Sequence, residues 1–180
     1  MSRNALLLSA AFALCASGAL AAAVAPPKLG RPATADEVAK ADISIPPSGE
    51  GLPAGSGTVE QGAAVFAQKC QVCHGENGAG TPSGDRLSGG IGTLASDNPI
   101  KTVSSYWPYA TTLFDYIRRA MPVTNPQSLP NDEVYAVTAY ILSIDNIVAK
   151  DAKLDKDSLP KVQMPNRAGF MNWEPRLLKP

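Results

Sequence analysis

Apolar residues recur at helical spacing in three stretches of the chain. Between Thr58 and Cys70, the residues Val59, Ala63, Phe66 and Cys70 share one face, at steps of four, three and four. Thr58 with Gln61 forms a capping box that starts this helix. Gly62, on an adjacent face, lets a second helix come close. Between Leu129 and Ile147 the apolar stripe is Val134, Val137, Ile141 and Ile144, continued by Val148. Asn131, Asp132 and Glu133 place a cap and negative charge at its start. Between Thr111 and Ala120, Leu113, Ile117 and Ala120 point inward, with Asp115, Arg118 and Arg119 mostly outward. The pattern predicts that the last helix crosses the first, with Phe66 against Tyr140 beside Gly62.

The stretches between these helices lack such periods. Met1 to about Ala25 has a positive start at Arg3, an apolar run from Ala5 to Leu14 and small residues from Ala19. This reads as a secretory signal cleaved near Ala23 or Ala25, which directs the chain to the periplasm and removes Cys15. The alternative is an uncleaved anchor, but the apolar run falls short of the ~20 residues that a span needs. Residues 26–57 form a Pro/Gly-rich arm. Thr34 and Glu37 can cap a short helix in it. The segment IPPSGEGLPAGSG is irregular because Pro and Gly recur every few residues. It is either an extended arm on the domain or a disordered tether. Residues 75–98 are a Gly-, Ser- and Pro-rich loop, and residues 150–180 a tail that wraps the surface. The organisation predicted is a signal (1–25), an arm (26–57), a domain (58–149) and a C-terminal surface tail (150–180).

A length of 180 residues suits one domain. Lys and Arg total 16 and so do Asp and Glu, so no strong field points to nucleic acid or an anionic membrane. The 16 Pro and 15 Gly imply much irregular backbone, which a bound apolar group could stabilise.

Cys70-Gln71-Val72-Cys73-His74 could supply that group. The spacing is the attachment site of a c-type haem. Two thiols separated by a helical turn lie along one edge of a porphyrin and can each form a thioether with a vinyl group. The next residue then projects under the ring centre, where the His74 imidazole can bind iron. The competing readings are a chance CxxC, a thioredoxin-like redox pair without haem, and zinc. The redox pair wants a βαβ context, which is missing nearby. Zinc wants four ligands, and two cysteines with one histidine are too few unless a carboxylate joins them.

His74 is the one histidine of the chain, so bis-histidine ligation within it is impossible. The sixth ligand is then a Met, a weaker group, water or nothing. Met121 precedes Pro122, which favours an extended conformation and so presents the thioether on a loop. Met164 and Met171 are its rivals. On the proximal side, Pro82 is expected near His74, with an unidentified backbone carbonyl accepting the other ring N–H. Trp107 or Tyr109 is a candidate to edge the haem and meet a propionate. Arg118 or Arg119 could meet a propionate or a partner's acidic patch.

These features resemble class I cytochromes c over about Thr58 to Asn146, with Gly62, Phe66 and Tyr140 at the helix crossing and CQVCHGENGAG as the haem loop. The resemblance implies an all-α fold of three to four helices around one covalently bound haem c, with extended N- and C-terminal arms. A narrower resemblance runs from about Leu29 to Phe170. SYWPYATTLFDYIRRAMP is its most distinctive piece, and MPNRAGF belongs to it. It is to the cytochrome subunit of the Sox sulfur dehydrogenase and to monohaem cytochromes of sulfite dehydrogenases. That subunit generally carries a second haem domain, whereas this chain has one CxxCH. The resemblance supports Met121 as ligand, because Met-Pro is part of the motif. It implies single-electron transfer from a molybdenum sulfite or sulfur dehydrogenase subunit to an acceptor cytochrome c and the respiratory chain. The chain then acts as an electron carrier rather than an enzyme. The reading from a different class is a haem protein with an open distal site, a ligand sensor or small haem enzyme.

Overall fold

A computed structural model describes residues 29–171. The signal sequence read in residues 1–25, with Cys15, lies outside the described residues. Contacts divide the chain into two units, Met1–Val38 and Ala39–Pro180. In the described part of the first, the capping box expected at Thr34 forms. The Glu37 N–H donates to Thr34 Oγ1 at 3.2 Å and the Thr34 N–H donates to Glu37 Oε2 at 2.8 Å. This starts helix α1 (Ala35–Ala41), in which no residue is buried.

The second unit contains α2 (Val59–Lys69), α3 (Gln71–His74), α4 (Val103–Tyr106), α5 (Ala110–Ala120) and α6 (Asn131–Ile144). Two three-residue strands, β1 (Ser56–Thr58) and β2 (Lys153–Asp155), pair antiparallel with Gly57 opposite Leu154. Helix α2 begins where its cap predicts, with Gln61 N–H donating to Thr58 Oγ1 at 3.2 Å and Thr58 N–H to Gln61 Oε1 at 2.9 Å.

Helix α2 crosses α6 at Gly62. A Cβ there would collide with the Ala136 backbone carbonyl and lie 2.8 Å from Tyr140 Cβ. The missing side chain is what allows this approach. Phe66 stacks tilted on Tyr140 with ring centroids 5.1 Å apart, as the sequence predicts. Helix α6 is buried over most of its surface, because α2, α5, both strands and arm residues Pro53 and Ala54 pack around it. Its Tyr135 packs on Phe114 at 4.5 Å and donates its hydroxyl to Pro53 O at 2.9 Å.

The start of α6 differs from expectation. Pro130, not Asn131, occupies the cap and offers no side-chain bond. The polar residues of the first turn hold other elements instead. Asn131 Nδ2 donates to Ala54 O at 3.3 Å, Asp132 accepts Ser56 N–H at 2.7 Å, and Glu133 pairs with Lys69 at 2.6 Å.

Asp115 differs too. Expected to face outward, it is 8% exposed and accepts the Ile45 N–H at 2.8 Å. Residues 43–47 are bonded along α5, turns follow at 46–49 and 49–52, and Pro53 and Ala54 then reach the start of α6. Arg118 donates to Ile43 O at 3.0 Å, so it serves the arm. After α6 the chain contributes Leu154, Leu159 and Met164 to the core. Asn166 then donates to Tyr106 O at 2.7 Å, and Phe170 packs edge-on against the Tyr106 ring at 5.2 Å. Among the described residues, no helix is long and apolar enough to cross a membrane.

Candidate haem site

Helix α2 ends at Cys70, whose φ of −122° leaves the helical range while its N–H still reaches Phe66 O. The chain restarts at once as α3. The N–H groups of Cys73 and His74 both donate to Cys70 O, at 3.1 and 3.0 Å. This single turn sets the offset between the two sulfurs. Gly75, at a φ of +74°, turns the chain out of it.

The loop that follows folds back on the motif. Gly80 N–H donates to His74 O at 2.7 Å, and Thr81 Oγ1 bonds Cys73 O. Gly84 lies so close that a Cβ would sit 2.7 Å from Cys73 O. Tyr140 fastens the same loop to α6 by donating to Asn77 Oδ1 at 3.1 Å.

His74 Nδ1 lies 2.8 Å from Asp85 O. A carbonyl can only accept, so Nδ1 carries the proton and Nε2 keeps its lone pair free. The residue that the sequence left unidentified is thus Asp85, acting through its backbone. Pro82 is exposed and outside the cavity wall.

Cys70, Cys73, His74 and Met121 all line one cavity of about 500 Å³. That lies in the ~300–1,000 Å³ range of sites that enclose a small organic ligand. Its deep wall is apolar, built from Phe66, Leu113, Ile117, Val137 and Ile141. The rim carries Lys69, Arg86 and Lys101. Met121 reaches it because α5 stops there: its φ of −118° and ψ of 146° are extended, as the following Pro122 requires. Met164 is 3% exposed in the core and Met171 is 90% exposed, and neither lines the cavity.

Trp107 lines the cavity and packs edge-on against Tyr116 at 5.8 Å, whereas Tyr109 faces Arg167 at 5.2 Å and does not line it. Arg119, like Arg118, is engaged within the chain, through Asp115 at 2.6 Å.

The other readings of the motif fit less well. Cys70 and Cys73 are free thiols. Burial pushes the Cys70 thiol up to about 11, outweighing the nearby Lys69 charge, so it is no poised thiolate of a redox pair. Among the described residues no group of three or more His, Cys, Asp or Glu could hold a metal ion, which removes the zinc reading. A flat apolar ring with two thioether links and one imidazole partner matches the cavity and its donors.

Known proteins agree. A family model described as cytochrome c matches residues 59–145. No curated protein matches the chain. Among solved structures, the sulfane dehydrogenase SoxCD from Paracoccus pantotrophus matches at 39% identity and a TM-score of 0.76, over 86% of this chain and 76% of that one. With this match and this fold, the chain belongs to the class I c-type cytochromes and is a monohaem, electron-transferring protein with covalently bound haem c.

Proposed function

We propose that Cys70 and Cys73 form the two thioether links, that His74 Nε2 and Met121 Sδ bind the iron, and that the chain is an exported, periplasmic carrier of single electrons. The observation that carries the ligand assignment is the convergence of these four side chains on one apolar cavity, with the imidazole Nδ1–H donated to Asp85 O. Bound haem supplies a one-electron Fe(III)/Fe(II) couple. The chain does the rest. The Asp85 carbonyl fixes the tautomer and the orientation of the imidazole. Phe66, Leu113 and Ile141 exclude water and so disfavour the more charged oxidised site. A thioether opposite the imidazole favours ferrous iron and raises the potential. The role proposed for the chain is that of an electron carrier, with the bond-making chemistry left to its donor.

Similarity to the sulfane dehydrogenase supports a place in sulfur oxidation. The donor we propose is a molybdenum sulfite or sulfur dehydrogenase subunit. The acceptor is a small cytochrome c that feeds the respiratory chain. The signal (1–25), arm (26–57), domain (58–149) and tail (150–180) divide the work between export and haem binding.

Haem staining after denaturing electrophoresis tests the links: Cys70→Ala with Cys73→Ala should abolish the stain, and its persistence would overturn them. Met121→Ala should lower the midpoint potential and open the sixth position to cyanide. Rapid cyanide binding by the unaltered protein would instead favour an open-site sensor. Co-purification from the native source should yield a molybdenum subunit in stoichiometric amount, and its absence removes the proposed donor.

A further inference from the structure

Helix α5 has two working faces. On one, Leu113 and Ile117 line the haem cavity, and Met121 continues their row one turn further on. Met121 is tied to that row by its own N–H, which donates to Ile117 O at 3.0 Å. On the other face, α5 grips the arm. Arg118 Nη1 donates to Ile43 O at 3.0 Å, Asp115 Oδ1 accepts the Ile45 N–H at 2.8 Å, and Thr111 Oγ1 donates to Pro47 O at 3.2 Å. The bonds fall on alternate arm residues, Ile43, Ile45 and Pro47.

Asp115 is the centre of this grip. It is 8% exposed, and Arg119 completes its carboxylate with bonds of 2.9 and 2.6 Å. Burying a carboxylate is costly without such partners. None of its bonds reaches the cavity, and Asp115 does not line it. Beside it, Ile45 is 6% exposed within the core.

Phe114, packed on Tyr135 of α6, holds the middle of α5, and the arm bonds brace its outer face against sliding or tilting, which would carry its last residue along. Met121 follows α5 with no intervening loop, so there is no slack to absorb such a shift. A ligand is only as well placed as the shell that supports it.

We propose that Asp115 is a positioning residue: by fixing arm residues 43–47 on the outer face of α5, it sets the position from which Met121 is presented to the haem iron. The inference rests on the Met121 ligation proposed above. It extends the ligand set to an outer support and gives the arm a role in the redox site.

The test uses the holoprotein and four variants: Met121→Ala, Asp115→Ala, Asp115→Asn and Ile45→Ala. Hydrogen exchange of the Ile45 amide, which Asp115 accepts, reports the arm. The weak red-edge absorption band of thioether bound to ferric iron, imidazole titration and the midpoint potential report the sixth ligand. Asp115→Ala should speed exchange in the arm, weaken the band, lower the potential and tighten imidazole binding about tenfold, for the loss of its one charge-assisted bond to the arm; Ile45→Ala, which loses packing and keeps the N–H, should move each reading in the same direction. Asp115→Asn keeps an acceptor for the Ile45 N–H and should recover most of each signal. Faster arm exchange with imidazole affinity and potential unchanged overturns the proposal, and so does an arm that stays protected in Asp115→Ala. Should Asp115→Ala yield no folded holoprotein, Ile45→Ala, which strands no charge, decides by the same outcomes. A band that survives Met121→Ala refutes the ligation itself, a result separate from any behaviour of the arm.

Discussion

Replacing Gly62 by Ala tests the crossing that positions α2, and with it the start of the haem motif. In an ordinary helix this change stabilises by about 1 kcal/mol, because Ala is the better helix former. Here the new Cβ would collide with the Ala136 carbonyl and lie 2.8 Å from Tyr140 Cβ. The first of these is backbone of a buried helix and cannot rotate away. Inserting a methyl group into such a contact costs about 1–3 kcal/mol. The rigidity of the obstacle argues for the upper end, so the net loss is about 2 kcal/mol. For a domain of this size that lowers Tm by about 4–8 °C.

Urea unfolding of the holoprotein is the assay, with an unchanged slope required if the denatured state is the same. Ala64→Gly, at an exposed site of the same helix, is the control and should lose only about 1 kcal/mol. If Gly62→Ala is as stable as the original protein or more so, the two helices do not pack at the distance described. The account of α2 would then fail.

Three further outcomes are expected. Tyr135→Phe removes the hydroxyl bond to Pro53 O and should cost about 1 kcal/mol, read as a Tm drop of about 2–4 °C. Burial holds the Tyr135 hydroxyl up near 12, so this loss should not vary around neutral pH. Gly84→Ala places a Cβ 2.7 Å from Cys73 O and should push away the loop carrying the Asp85 carbonyl, seen by NMR as faster exchange of the His74 Nδ1 proton. Asp115 gives an acid dependence. Burial pushes its pKa up, but bonds from Arg119 and the Ile45 N–H and the charges of Arg119 and Arg118 prevail and hold it below 3.8. The stabilisation is therefore complete above the unfolded carboxylate value and lost as pH falls through the lower folded one. Asp115→Asn should flatten the stability curve in that acid window, and parallel curves for the two proteins would contradict the assignment.

What the sequence disclosed and what it hid follow from the range of the interactions. The periodicity of Val59, Ala63, Phe66 and Cys70, with Gly62 on the adjacent face, is local, so α2 and its partner Tyr140 were legible. The Cys70–His74 spacing was legible because covalent geometry dictates it. Asp85 was hidden because its carbonyl is what acts, and every residue has one. Asp115 was misread because an acidic residue on an amphipathic helix is assigned to water unless a covering segment is known. The cover is the arm, far back in the chain and without a period of its own. Strands of three residues, such as β1 and β2, lie below the length at which alternation can be recognised. Asn131 was a reasonable cap, but its side chain serves Ala54 and the cap falls on Pro130.

The same distinction of range separates the two sides of the proposed iron site. His74 is held by its own helical turn and by a loop that closes within a short stretch of chain, through Gly80, Thr81 and Asp85. Little loop-closure entropy opposes these contacts, so they persist while the rest of the domain loosens. Met121 depends on α5, which is braced from outside by Ile43, Ile45 and Pro47, all distant in sequence. Contacts of that kind belong to larger cooperative units and open at lower free-energy cost than the domain as a whole when their packing is thin. The thioether should therefore leave before the imidazole under mild denaturation. The attachment through two sulfurs keeps the haem in place throughout, so this opening is local and reversible. With the proposed ligation, the thioether contact is lost first, the fold later and the haem not at all.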